Sequence, residues 1–113
     1  MTLTGPSGSF LEFLPMLEVI KKQYSAKDLP YHIIVPSLPG YTFSSGPPVD
    51  RDVDVDVMPR IMHKLLIALG FGETGYLAQG GDLGSRVARR SAVLYPECKG
   101  MTSGLHKTRL KLN

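Results

Sequence analysis

The chain has 113 residues, a net charge of +3, 42% apolar and 20% charged residues, and one cysteine. That length allows one domain with a modest core, burying roughly 60–70% of the unfolded surface. An internal disulfide is excluded, no run approaches the length of a membrane span, and no aromatic and basic stripe supports nucleic-acid binding.

The N-terminus lacks a basic region followed by an apolar run, so a cytoplasmic location is expected. Residues 1–9 hold a possible strand end followed by a glycine and proline turn. From there Phe10, Phe13, Leu14 and Leu17 follow helical spacing, with Ser9 and Glu12 as a capping box. Pro15 must begin a new first turn or kink this helix, which fades at Lys21-Lys22-Gln23. Tyr31 to Pro36 is apolar and β-branched between two prolines and predicts a short buried strand, with His32 at its edge. Ser37 to Pro48 is an irregular loop.

Asp50, Asp52, Asp54 and Asp56 alternate with other residues and admit a metal-site reading. No glycine turn or distal glutamate completes a calcium loop, so a solvated acidic lead-in to a helix is preferred. Met58, Ile61, Met62, Leu65, Leu66 and Leu69 define that helix, with Pro59 in its first turn, Gly70 as its stop and His63 on its surface. Gly70 to Gly75 matches the G-x-G-x-x-G dinucleotide pattern in the wrong context: it follows a helix and leads into a strand.

Tyr76, Leu77 and Ala78 predict a strand, and Leu83 to Tyr95 a helix ended by Pro96. Leu83, Val87, Ser91, Leu94 and Tyr95 outline its buried face, with Arg86, Arg89 and Arg90 elsewhere. Cys98 is expected to be a structural thiol, and Gly100 to Asn113 show no firm periodicity. The alternation of helices and strands indicates an α/β fold with a short, mostly parallel sheet flanked by helices.

The turn from strand to helix at residues 78–85 organises the rest. Gly80 and Gly84 lie two residues on either side of Asp82, the spacing of a nucleophile elbow with a carboxylate at its apex. A carboxylate at a helix N-terminus is favoured in its charged, nucleophilic form. The plainer alternative is a glycine-rich turn with an ordinary N-capping aspartate.

Three segments, Gly8 to Pro15, Ile34 to Tyr41 and Gln79 to Ser85, together resemble the epoxide hydrolases of the α/β-hydrolase fold, particularly the microsomal-type and fungal ones. The likeness covers about residues 5–101, leaving 102–113 as a divergent tail, so residues 1–113 are expected to form a partial domain. The resemblance implies that Asp82 opens a small apolar epoxide through an alkyl-enzyme ester, with no cofactor and no metal. It implies that the backbone N–H of Leu83 holds the oxyanion formed when water attacks the ester. Pro6 falls where a second oxyanion donor is expected, and proline has no N–H.

The family's base histidine, its orienting acid and its lid tyrosines have no matching positions, and only His106 follows Asp82. The lid and C-terminal part of the domain are therefore expected to be missing, leaving an inactive, marginally stable truncated product. Two alternatives stand beside catalysis: a non-catalytic remnant that associates with an intact relative, and a haloalkane-dehalogenase-like hydrolase. The latter is disfavoured by Leu83 after the apex, where those enzymes place tryptophan. Exposed strand edges of such a piece point to self-association.

Overall fold

In a computed structural model of the chain, the described residues are 1–3, 10–46, 56–103 and 109–110. The elements in chain order are β1 (Thr2–Leu3), a 3-10 turn (Phe10–Phe13), α1 (Leu14–Gln23), α2 (Val57–Ala68), β2 (Tyr76–Gly80), α3 (Leu83–Leu94), β3 (Cys98–Ser103) and β4 (Arg109–Leu110). They form a four-stranded sheet in the order β1-β2-β3-β4. β1, β2 and β3 run parallel, and β4 closes the edge of β3 in the antiparallel sense. The α/β class and the mostly parallel sheet are as the sequence predicts.

Helix α3 covers one face of the sheet through Gly84, Val87, Ala88, Ser91 and Ala92, all buried. Small side chains on this face let the helix lie close over Tyr76, Ala78, Cys98 and Met101 of the neighbouring strands. Leu66 of α2 completes this cluster at 1% exposure, and burying a side chain of that size contributes roughly 1.5–3 kcal/mol. A second cluster, Leu3, Leu38, Met62 and Val87, lies under the start of α3 and packs against Leu83 and Tyr41.

Several expectations change. Tyr31 to Pro36 does not form a strand; residues 32–38 carry no regular structure. Their tie to the sheet is a single rung, Thr2 N–H to the Ile34 carbonyl at 2.9 Å, because β1 is only two residues long and offers no ladder to pair with. His32 is exposed there, its ring 5.5 Å from that of Phe71. Conversely, Cys98 to Ser103 is a full strand pairing with Tyr76 to Gly80.

Pro15 does reset its helix: a 3-10 turn precedes it and α1 begins with Pro15 in its first turn. Nothing on α1 is fully buried, and Leu14, Met16 and Val19 are exposed. The proposed cap Ser9 lies outside the described residues, as do Asp50, Asp52 and Asp54. Along α3 the buried face includes Ala88 and Ala92, whereas Leu94, expected inside, is exposed. Gly70 and Gly75 both adopt positive φ, 95° and 76°, in the α2–β2 turn. A Cβ on Gly75 would stand 2.7 Å from the Glu97 carbonyl oxygen, so this glycine serves the turn itself.

His63, expected on the surface, is instead mostly enclosed, with its side chain 14% exposed. Its ring stacks on Tyr95 at 3.8 Å and 3°, and its Nδ1 lies 3.0 Å from the Tyr76 hydroxyl. Glu97 stands 3.9 Å from its other nitrogen. Burial pushes the Tyr76 phenol well above its usual pKa, which keeps it a neutral hydrogen-bonding group at this end of β2.

Two predictions follow from the packing. A Cβ on Gly84 would meet the Leu3 carbonyl oxygen at 2.7 Å and Leu3 Cβ at 2.8 Å, whereas one on Gly81 meets nothing within 4 Å. Gly84→Ala should cost roughly 1–3 kcal/mol in a urea melt while Gly81→Ala stays within about 0.5 kcal/mol of wild type.

The second concerns Asp56, which accepts two hydrogen bonds from Arg90, Nε at 2.6 Å and Nη2 at 2.5 Å, joining the start of α2 to α3. Those bonds hold its carboxyl below the usual carboxylate range. A pKa lowered by folding means that the unfolded chain takes up the proton first, so this stabilisation is complete above about pH 4 and disappears as pH falls through the folded value. Asp56→Asn should therefore flatten the acid limb of the melting temperature measured from about pH 5 to pH 2. The difference should shrink in about 1 M salt, because the pair is partly solvated.

Candidate active site

β2 ends at Gly80 and α3 begins at Leu83, so the chain reverses from strand to helix through Gly81 and Asp82. The reversal is possible because two glycines remove Cβ atoms where backbones meet. A Cβ on Gly80 would lie 2.2 Å from the Gly84 carbonyl oxygen and 2.7 Å from Ser85 N. Gly84 in turn lies directly against Leu3 of β1, and the Gly81 N–H donates to the Leu3 carbonyl at 3.2 Å. The apex absorbs the remaining turn: Asp82 has φ 49° and ψ −121°, one of two non-glycine residues with positive φ among those described. A conformation of that kind costs on the order of 1–3 kcal/mol.

These angles separate an elbow from an ordinary N-cap. An N-capping aspartate sits in the β region and accepts a first-turn N–H with its side chain. Asp82 does neither: its φ is positive and its carboxylate makes no capping hydrogen bond. The side chain is exposed at the C-terminal end of β2, at the positive end of α3.

Leu83, half-buried against the second core cluster, follows immediately, so the expected nucleophile and the expected oxyanion donor stand on adjacent residues. Its N–H is the first of the helix, one of the four that no helical carbonyl accepts. Pro6 and His106 lie outside the described residues. His32 and His63 are held elsewhere, against Phe71 and in the Tyr76–Tyr95 stack.

Sequence reasoning did not single out Ser85. Its hydroxyl donates to the Asp82 carbonyl at 2.5 Å, and its own N–H reaches the same oxygen at 3.0 Å. The signal was available, since serine in a first helical turn commonly hydrogen-bonds to nearby backbone. A cleft of about 630 Å³ opens between residues 30–34, Leu66, Phe71 and one side of β2, including Leu77 and Gln79. Asp82 does not line it. Among the described residues no three His, Cys, Asp or Glu side chains gather to hold a metal ion, and no helix is long and apolar enough to cross a membrane.

Known proteins give the arrangement a family. Residues 4–104 match the model of the alpha/beta hydrolase fold family. The structure superposes on Aspergillus niger epoxide hydrolase with a TM-score of 0.88 and 46% identity, covering 96% of this chain and 28% of that one. Juvenile hormone epoxide hydrolase of the silkworm Bombyx mori gives a TM-score of 0.71 at 32% identity over 90% of this chain and 26% of that one. A Dothistroma septosporum protein assigned as an epoxide hydrolase is 48% identical over 95 residues, which are 84% of this chain and 22% of that protein. The chain thus spans about a quarter of the length of these relatives. It belongs to the alpha/beta hydrolase fold family, as a partial domain similar to that family's epoxide hydrolases.

Proposed function

We propose that this chain carries the nucleophile half of an epoxide-opening site, with Asp82 as the attacking group. The observation that supports this best is the apex geometry: a carboxylate on a strained turn, uncommitted to capping, at the positive end of α3. One Asp82 carboxylate oxygen would form a bond to an epoxide ring carbon as the ring C–O bond breaks. The ring oxygen leaves with the electron pair and takes a proton from solvent, giving a hydroxyalkyl ester on Asp82. Attack of water on the ester carbonyl would then develop negative charge on oxygen beside the Leu83 N–H.

The second half of the reaction needs a base, and both described histidines are packed elsewhere. The second oxyanion donor falls at Pro6, and losing one such donor costs on the order of 10²–10³ in rate. Chemistry on the isolated chain is accordingly expected to stall at the ester. Incubated with styrene oxide, the wild-type chain should gain one substrate mass, localised by peptide mapping to the segment containing Asp82, with little diol released. Asp82→Ala should gain none. An unmodified wild-type chain at saturating epoxide would reject Asp82 as the nucleophile.

A second reading, association with another copy or an intact relative, is supported by apolar side chains left uncovered. Leu77 is 51% exposed on the sheet, and Leu14, Met16 and Val19 are exposed on α1. Sedimentation at rising concentration should then give a mass above that of the monomer; a constant monomer mass at about 100 µM would reject self-association.

A further inference from the structure

We propose that Ser85 is a positioning residue of the elbow: its hydroxyl, by holding the Asp82 carbonyl, fixes the peptide plane between Asp82 and Leu83. This inference deepens the epoxide-opening reading and rests on it for its chemical consequence. Two donors from one residue converge on that carbonyl, the Ser85 hydroxyl at 2.5 Å and the Ser85 N–H at 3.0 Å. In a trans peptide the N–H points opposite to the C=O. Pulling the Asp82 oxygen down into the helix therefore turns the Leu83 N–H up and out of it, towards the side where an ester oxygen on Asp82 would become an oxyanion.

The same plane sets ψ of Asp82, which is −121° beside a φ of 49°, and with it the stance of the carboxylate against the Leu83 N–H, which would hold its non-attacking oxygen during alkylation. Gly80 makes the clamp possible, because a Cβ there would lie 2.7 Å from Ser85 N and push the first turn away. A serine in the first turn that merely stabilised the helix would satisfy a free first-turn N–H. This one donates to a carbonyl already bonded, so its hydroxyl adds restraint to the plane rather than a missing partner.

The test compares Ser85→Ala, Ser85→Thr and Ser85→Val in the full 113-residue chain, with two readouts. The first is the rate of Asp82 alkylation by styrene oxide; the second is the strong NOE from the Asp82 β-protons to the Leu83 amide proton that a ψ of −121° imposes on Asp82. Threonine keeps the hydroxyl and valine matches its shape without it. Wild type and Ser85→Thr should alkylate within about twofold of each other and keep the NOE. Ser85→Ala and Ser85→Val should alkylate roughly tenfold more slowly and weaken the NOE while keeping wild-type helix content by circular dichroism.

Wild-type rate and NOE in Ser85→Ala would overturn the role of Ser85 and leave Asp82 as nucleophile intact. Loss of helix content in both Ser85→Ala and Ser85→Val would also overturn it, since the hydroxyl would then be holding the domain rather than the turn. A wild-type chain that never alkylates, but whose NOE depends on the hydroxyl, would reject the nucleophile and leave the clamp standing.

Discussion

The structure depends on a close approach of three backbones at one end of the sheet. Gly80 at the end of β2, Gly84 in the first turn of α3 and Leu3 at the end of β1 occupy a space that leaves no room for a Cβ on either glycine. With those side chains absent, α3 can turn back at once over the strand it has just left. The helix then lies low enough for its alanines to meet Ala78 and Met101. The positive φ of Asp82 accompanies this closure, because only Gly81 and Asp82 are left to complete the reversal.

Strain at the apex persists only where the surroundings over-determine it. Here the Gly81 N–H is fixed on Leu3, the Asp82 carbonyl is held twice by Ser85, and Leu83 is seated on a buried cluster. The two ends of β2 are built for different ends. At the first, Tyr76 is closed in by His63, with Tyr95 stacked on that histidine and Glu97 beside it. At the second, a charged side chain is left in water with no hydrogen-bond partner capping the helix. One end of β2 thus encloses its polar groups, and the other leaves a carboxylate exposed.

The elbow was legible in the sequence because most of its cause is local: two glycines at fixed spacing around one apex residue permit the turn. α2 and α3 were legible from periodicity for the same reason. The segment Tyr31 to Pro36 was not, because a strand is made by its partner, and two-residue β1 provides only one rung for it. β3 was missed from the opposite direction. Cys98-Lys99-Gly100-Met101 has weak local preference, yet β2 supplies a complete ladder, and Gly100 and Met101 are buried by what lies on either side. His63 looked like a surface residue on its own helix because its partners are thirteen or more positions away, on β2 and after α3.

The glycines that shape the elbow are indifferent to what the apex carries, so the fold and the chemistry are separate facts. A hydroxyl at this position could attack a carbonyl, but attack on a saturated ring carbon would leave it as an ether, with no carbonyl for water to reach. A carboxylate making the same attack becomes an ester and keeps an electrophilic carbon of its own, next to the Leu83 N–H that would steady its oxyanion. An aspartate at residue 82 is therefore what the proposed reaction, whose first bond is made to an sp³ centre, requires. The same reasoning explains why a nearby base is needed for turnover but not for the first step: bond formation to the ring needs a charged oxygen held in reach of it and no base, while release requires a second molecule, water, to be activated in place.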